Sequence, residues 1–160
     1  MPATLQRYYG VKGGATNAVQ IFPEAAGQSF KAGDLVTSSS GSVAALAASD
    51  GAITNAGNKV LGVALRDASG TAGTSIPVKV IGDEDLVLLP VYHATASSAK
   101  PANGTVGSQY QLVRSGGVYG IAIDQTSNPV AILCDKLPGM DQEQYGPVWV
   151  RILAARRVME

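Results

Sequence analysis

The chain is short of the side chains on which most chemistry depends. Its 160 residues hold one histidine, one cysteine, one tryptophan and two phenylalanines, and charged residues make up 15%, against about 25% in an average globular domain. One His and one Cys, His93 and Cys134, cannot close a four-ligand zinc site within one chain. A lone cysteine also excludes an internal disulfide, which argues against a disulfide-stapled secreted module. Cys134 lies in the apolar run 130–134, where a small buried hydrophobe is the expected role. Lys plus Arg equals Asp plus Glu at 12 each, so no overall field exists to grip nucleic acid or an anionic membrane. No apolar run approaches the roughly 20 residues that span a bilayer, and the longest, 86–91, contains Pro90. The first residues lack the apolar stretch of a secretory signal. Sparse charge with no net charge does not favour a solitary soluble surface, and points to a surface covered by partners.

What the chain has instead is a procession of short apolar runs joined by glycine, serine and alanine turns. They fall at 19–22, 30–36, 43–48, 60–66, 76–81, 86–92, 108–114, 118–124, 130–136 and 147–153. Closely spaced strands without a convincing amphipathic helix predict an all-β chain of the sandwich or barrel class. Gly62 inside a strong strand pattern predicts a bulge or a close backbone approach. Pro77 pushes its strand toward an edge or the first position of a ladder. Ser115, Gly116 and Gly117 predict a hairpin with a primed turn, since glycine supplies positive φ. Asp83, Glu84 and Asp85 read as a solvated acidic turn. Between 93 and 107 the composition shifts to small and polar residues, which predicts a linker. The expected organisation is an arm at 1–18, a β-barrel module at 19–92, the linker at 93–107, and a second strand-rich module at 108–160 that shares the first core or stands apart.

The two ends carry most of the unassigned character. Residues 1–18 contain no acid but interleave Arg7 and Lys12 with Leu5, Tyr8, Tyr9 and Val11. Either this is a frayed terminus, or it is an extended arm that lays its aromatics on a neighbouring subunit. Near the other end Arg151, Arg156 and Arg157 cluster, as a solvated tail or as a contact for an acidic patch on a partner.

Candidate chemistry is thin. His93 is the only imidazole, and neither Ser97 nor Ser98 stands in a nucleophile-elbow sequence. The acids at 83–85 lack the spacing of a calcium loop. Asp124 and Asp135 end successive strands, but no other feature supports a glycosidase pair. The glycine-rich stretch 69–75 lacks the Gly-Lys-Ser/Thr ending of a phosphate loop and leads into a strand. Tyr110, Tyr119 and Trp149 either fill the core of the second module or form a stacking platform for carbohydrate.

Two stretches carry a family resemblance. Gly33-Asp34-Leu35-Val36, a Gly/Ala-rich connection, Val60-Leu61-Gly62-Val63-Ala64 and the strand 76–81 resemble the capsid decoration (cement, or head-stabilising) proteins of tailed bacteriophages. The residues 107–113, 120–124, 131–136 and 146–151 are similar to the C-terminal part of other phage structural proteins. Together they touch roughly two thirds of the chain, each through common residues. The resemblance implies a small β-barrel or β-tulip-like module with an extended N-terminal arm, a homotrimer, and attachment to the major capsid protein on the outer capsid surface of a virion, after synthesis in the host cytoplasm. It implies no catalytic residue, no metal and no cofactor. Leu5, Arg7, Tyr8, Tyr9, Val11 and Lys12 would form the clasping arm. A phage tail or baseplate module and a carbohydrate-binding β-barrel are the alternatives.

Overall fold

The computed structural model describes residues 5–8, 10–12, 19–53 and 59–158. Over these the protein is all-β, as expected, with only three single-turn 3-10 helices, Ala96–Ser98, Pro101–Asn103 and Ala154–Arg156. Strands β2 (Val19–Pro23), β3 (Leu35–Ser39), β4 (Ser42–Ala45), β6 (Gly62–Ala64) and β7 (Ser75–Val80) form one sheet in the order β2-β7-β6-β3-β4. A parallel bridge between Glu24 and Val43 draws its two edges together at one end. Inside this first barrel Phe30, Val36, Val43, Leu61, Ala64, Ile76 and Val78 make one buried cluster. Alternation explains the arrangement: Ile76 and Val78 point inward from β7, while Ser75, Pro77 and Lys79 point outward.

The second sheet contains β8 (Leu86–Tyr92), β9 (Gln109–Ser115), β10 (Val118–Ala122), β11 (Ala131–Lys136) and β12 (Pro147–Ile152). The order β8-β10-β9-β11-β12 returns to β8 through the β8–β12 pairing, so these strands close into a ring. Two short strands attach to it, β1 (Val11–Lys12) on β8 and β5 (Gly51–Ile53) on β9. The hairpin predicted at 115–117 is present, with Ser115 opposite Val118 and positive φ at Gly116 and Gly117. Gly62 is also where a close approach was expected, because a Cβ there would lie 2.1 Å from the Lys79 carbonyl oxygen.

The expected division of the chain is corrected. Strand β8, placed by sequence in the module 19–92, belongs to the second barrel, as do β1 and β5. In the opposite direction Val158 packs against the first cluster and Arg157 bridges Val60. Nor is 93–107 a free linker. Ala99 and Pro101 are buried, the Tyr145 and Ala102 amides bond across to Ala99 and Asp141 carbonyls, and a Cβ on Gly104 would meet Leu133 at 2.7 Å. The halves share one core: the larger cluster joins Leu35, Leu46 and Val63 to Leu112, Tyr119 and Ile121. Strand patterns reveal local pleat, whereas partner choice depends on residues far away in sequence.

Candidate functional site: the arm joint and the outer face of the first barrel

The described part of the arm lies along its own chain. β1 pairs antiparallel with β8, Val11 opposite Val87 and Lys12 opposite Leu86, and the Leu88 amide donates to the Gly10 carbonyl at 2.9 Å. Gly10 has to be small, because a Cβ would stand 3.1 Å from the Trp149 ring and 3.2 Å from Leu88. The Lys12 ammonium sits 4.4 Å from the centre of that ring, a cation–π contact. Leu5 lies against Gly120. β8 and β10 pair only at 91–92 and 121–122, so the arm fills the wedge where they diverge. Tyr8 is half-buried; burial first, then the negative Glu143, pushes its hydroxyl above the ordinary pKa of 10.0. Tyr9 lies outside the described residues. Leu5, Arg7, Val11 and Lys12, expected to meet a neighbouring subunit, thus each make contacts within the chain, with Lys12 still exposed.

Arg7 is the centre of this joint. Its Nε donates to Asp34 Oδ1 at 2.5 Å and its Nη2 to the Gly117 carbonyl at 2.8 Å. Asp34, 3% exposed, also accepts from the Lys31 amide at 2.9 Å, and its turn is stapled to β6 by Gly33 N to Ala64 O and Ala64 N to Asp34 O. The Gly-Asp turn therefore orients a buried carboxylate toward the arm. From the other side Asp50 accepts from the Gly116 and Gly117 amides at 2.8 and 3.1 Å and pairs with Arg114 at 3.3 Å. Two acids and two arginines thus lock the β9–β10 hairpin tip, the arm and the first barrel together. The contacts of the joint among the described residues are ion pairs and backbone hydrogen bonds, the chemistry of a clamp.

At the C-terminal end, Arg157 pairs with Asp83 and is largely covered, while Arg151 is exposed on β12 and Arg156 half-buried. The three arginines are thus not a common free patch, since Arg157 is neutralised within the chain. The acidic turn is corrected too: Asp85 is buried and accepts from the Gly82 amide at 2.7 Å.

His93 stands beside an acid, with Nδ1 3.9 Å from Asp124 Oδ2. The Thr95 amide donates to that same Nδ1 at 2.9 Å, and Asp124 accepts from the Ala94 amide. Nδ1 is therefore an acceptor. In a Ser-His-Asp arrangement it must carry the proton that the carboxylate holds, so this pair is built to shape the start of 93–107. The neighbouring cleft, lined by Tyr92, Gln111 and Asp124 among others, measures about 280 Å³, at the small end of the roughly 300–1,000 Å³ of small-molecule sites. Tyr110 and Tyr119 are buried; the Tyr110 hydroxyl accepts from the Thr105 amide and the Tyr119 hydroxyl from the Ala47 amide. With Trp149 under Gly10 and Lys12, these aromatics form no open platform for sugar. Cys134 is half-buried at the register shift between Leu133 and Asp135. Among the described residues no cluster of His, Cys, Asp or Glu suits a metal ion, and no helix is long and apolar enough to cross a membrane.

Sequence reasoning missed the exposed apolar residues of the first barrel. Val19, Ile21 and Leu65 are 54%, 70% and 46% exposed. Ile21 is opposite Pro77 and the Leu65 amide donates to the Pro77 carbonyl, so these three residues lie in one row across three strands. The alternation of β2 was visible in sequence, but which face lacked a cover was not. No protein-family model, no curated protein and no solved structure matches the chain.

Proposed function

We propose that this chain is a structural virion protein that binds the outer surface of an assembled bacteriophage capsid and stabilises it without catalysis. The observation that supports the reading best is how the polar groups are used. The buried acids Glu24, Asp34 and Asp85 hold turns and the arm, while a rigid barrel presents an apolar row to solvent. Exposed apolar rows on a stable scaffold mark interaction surfaces. The all-β, barrel-like fold agrees with what the resemblance implies, and the major capsid protein is the partner it implies. Assembly as a homotrimer would multiply weak contacts by avidity.

The test mixes purified protein with capsids lacking it and measures shell occupancy and rupture temperature. Saturable binding with a raised rupture temperature is expected. Absence of binding, or binding without heat resistance, sinks the proposal. A soluble hexameric ring or tube in mass measurements would favour a tail module instead.

A further inference from the structure

We propose that His93 is a proton-operated latch on the start of the 93–107 segment: the neutral ring holds the Thr95 amide, and the protonated ring releases it and pairs with Asp124. The latch would operate whatever the protein binds, so it stands apart from the capsid reading.

His93 follows the last residue of β8, Tyr92, where the chain leaves the second barrel for the 3-10 turn Ala96–Ser98. Side chains hold two successive amides at this exit. The Ala94 amide donates to Asp124 Oδ2 at 2.9 Å, and the Thr95 amide donates to His93 Nδ1 at 2.9 Å. The second bond is the one asparagine makes in an Asx turn, from a side-chain acceptor to the backbone N–H two residues on. Asparagine accepts at every pH, whereas an imidazole nitrogen accepts only while it carries no proton. A backbone N–H can only donate, so the neutral ring carries its proton on Nε2 and the next proton has to add at Nδ1. Two N–H groups would then face each other, and the Thr95 bond has to break.

An acceptor for the new N–H is already at hand. Asp124 Oδ2 is 3.9 Å from Nδ1, and Oδ1 of the same carboxylate is buried with no hydrogen-bond partner. A turn of the ring that closes this gap exchanges the Thr95 bond for an ion pair. A charged donor on a carboxylate makes a stronger hydrogen bond than an amide on a neutral ring, so charging the ring favours the exchange. Few other charges surround the pair. Residues 94–99 carry no titratable side chain, Tyr92 precedes His93, and Lys100 follows the turn. The loop 141–146 bonds back to the turn through Gln144 Nε2 to the Ala96 carbonyl and the Tyr145 amide to the Ala99 carbonyl. It carries Asp141, Glu143 and Tyr145, but among the described residues Asp124 is the one acid paired with His93.

NMR of the full chain from pH 8 to pH 5, the range in which histidine changes charge, tests the latch. His93 is the single histidine, so its ring signals are unambiguous. As the ring protonates, the Thr95 amide proton should move upfield. Its protection against exchange, corrected for the intrinsic effect of pH, should fall about fivefold, the worth of one ordinary hydrogen bond. The Asp124 carboxyl carbon should shift at the same midpoint. His93→Asn keeps an Asx-turn acceptor without the proton, so in that variant, checked for folding by circular dichroism, Thr95 should stay held throughout. A Thr95 amide that ignores the titrating ring, or responds equally in folded His93→Asn, overturns the latch. So does a ring that stays neutral down to pH 5. A Thr95 response with an unmoved Asp124 carbon overturns the pairing.

Discussion

Glu24 is 1% exposed and holds the loop that follows β6. Its carboxylate accepts from the Ser69 amide at 3.0 Å, the Ser69 hydroxyl at 2.8 Å and the Gly70 amide at 2.6 Å. Burial alone would raise its pKa above the ordinary 4.5, but these hydrogen bonds, with the charge of Arg66, outweigh it and the net shift is downward. The unfolded chain therefore takes up this proton at higher pH than the folded one. Its stabilising contribution is complete above pH 4.5 and is lost as pH falls through the depressed folded value. Glu24→Gln should cost about 2 kcal/mol at neutral pH, and the gap to the parent should narrow as thermal melts are taken down to about pH 3. A gap independent of pH would show that the charge is immaterial. Gly62 supplies a second residue-scale prediction. Gly62→Ala places a methyl 2.1 Å from the Lys79 carbonyl oxygen, a clash with backbone that should cost about 3 kcal/mol in urea denaturation. That glycine was legible because its constraint is local to a strand pattern. Glu24 was not, since its partners are more than forty residues away.

The element that changes meaning most is the arm. Its basic and aromatic composition suggests an outward reach, yet Arg7 forks between Asp34 and Gly117, and Gly10 to Lys12 extend the second barrel beside β8. Arg7→Ala should destabilise the fold by about 2 kcal/mol, because Asp34 is left buried with its charge poorly compensated. Arg7→Lys should recover only part, since an ammonium cannot reproduce the planar fork. Hydrogen exchange at Leu88, whose amide bonds to the arm, should accelerate in Arg7→Ala. Unchanged protection there would mean that the arm is held without the clamp. The hairpin at 115–117 was readable from its glycines, whereas β5 and β1 are too short to carry a period.

At the scale of the whole molecule, the two barrels share one buried cluster. Leu35 and Leu46, from the first half, are buried in the same cluster as Leu112 and Ile121 from the second. Leu35→Ala should cost about 3 kcal/mol and lower the stability of both barrels together, with a single calorimetric transition in parent and variant. Two separated transitions would show that the barrels melt independently.

Composition and pattern by themselves determined the all-β class, the placement of most strands, the primed turn at 115–117 and the tight approach at Gly62, because each follows from the conformational limits of neighbouring residues. Only the tertiary structure decided that β8 leaves its expected module, that 93–107 is packed, that Arg7 and the strand Val11–Lys12 dock on their own chain, and that Ile21 remains uncovered. A strand's alternation states that one face is apolar, but what covers that face depends on contacts between residues distant in sequence. For this chain those contacts bury the Gly-Asp turn under Arg7 and leave the outer face of β2 to solvent.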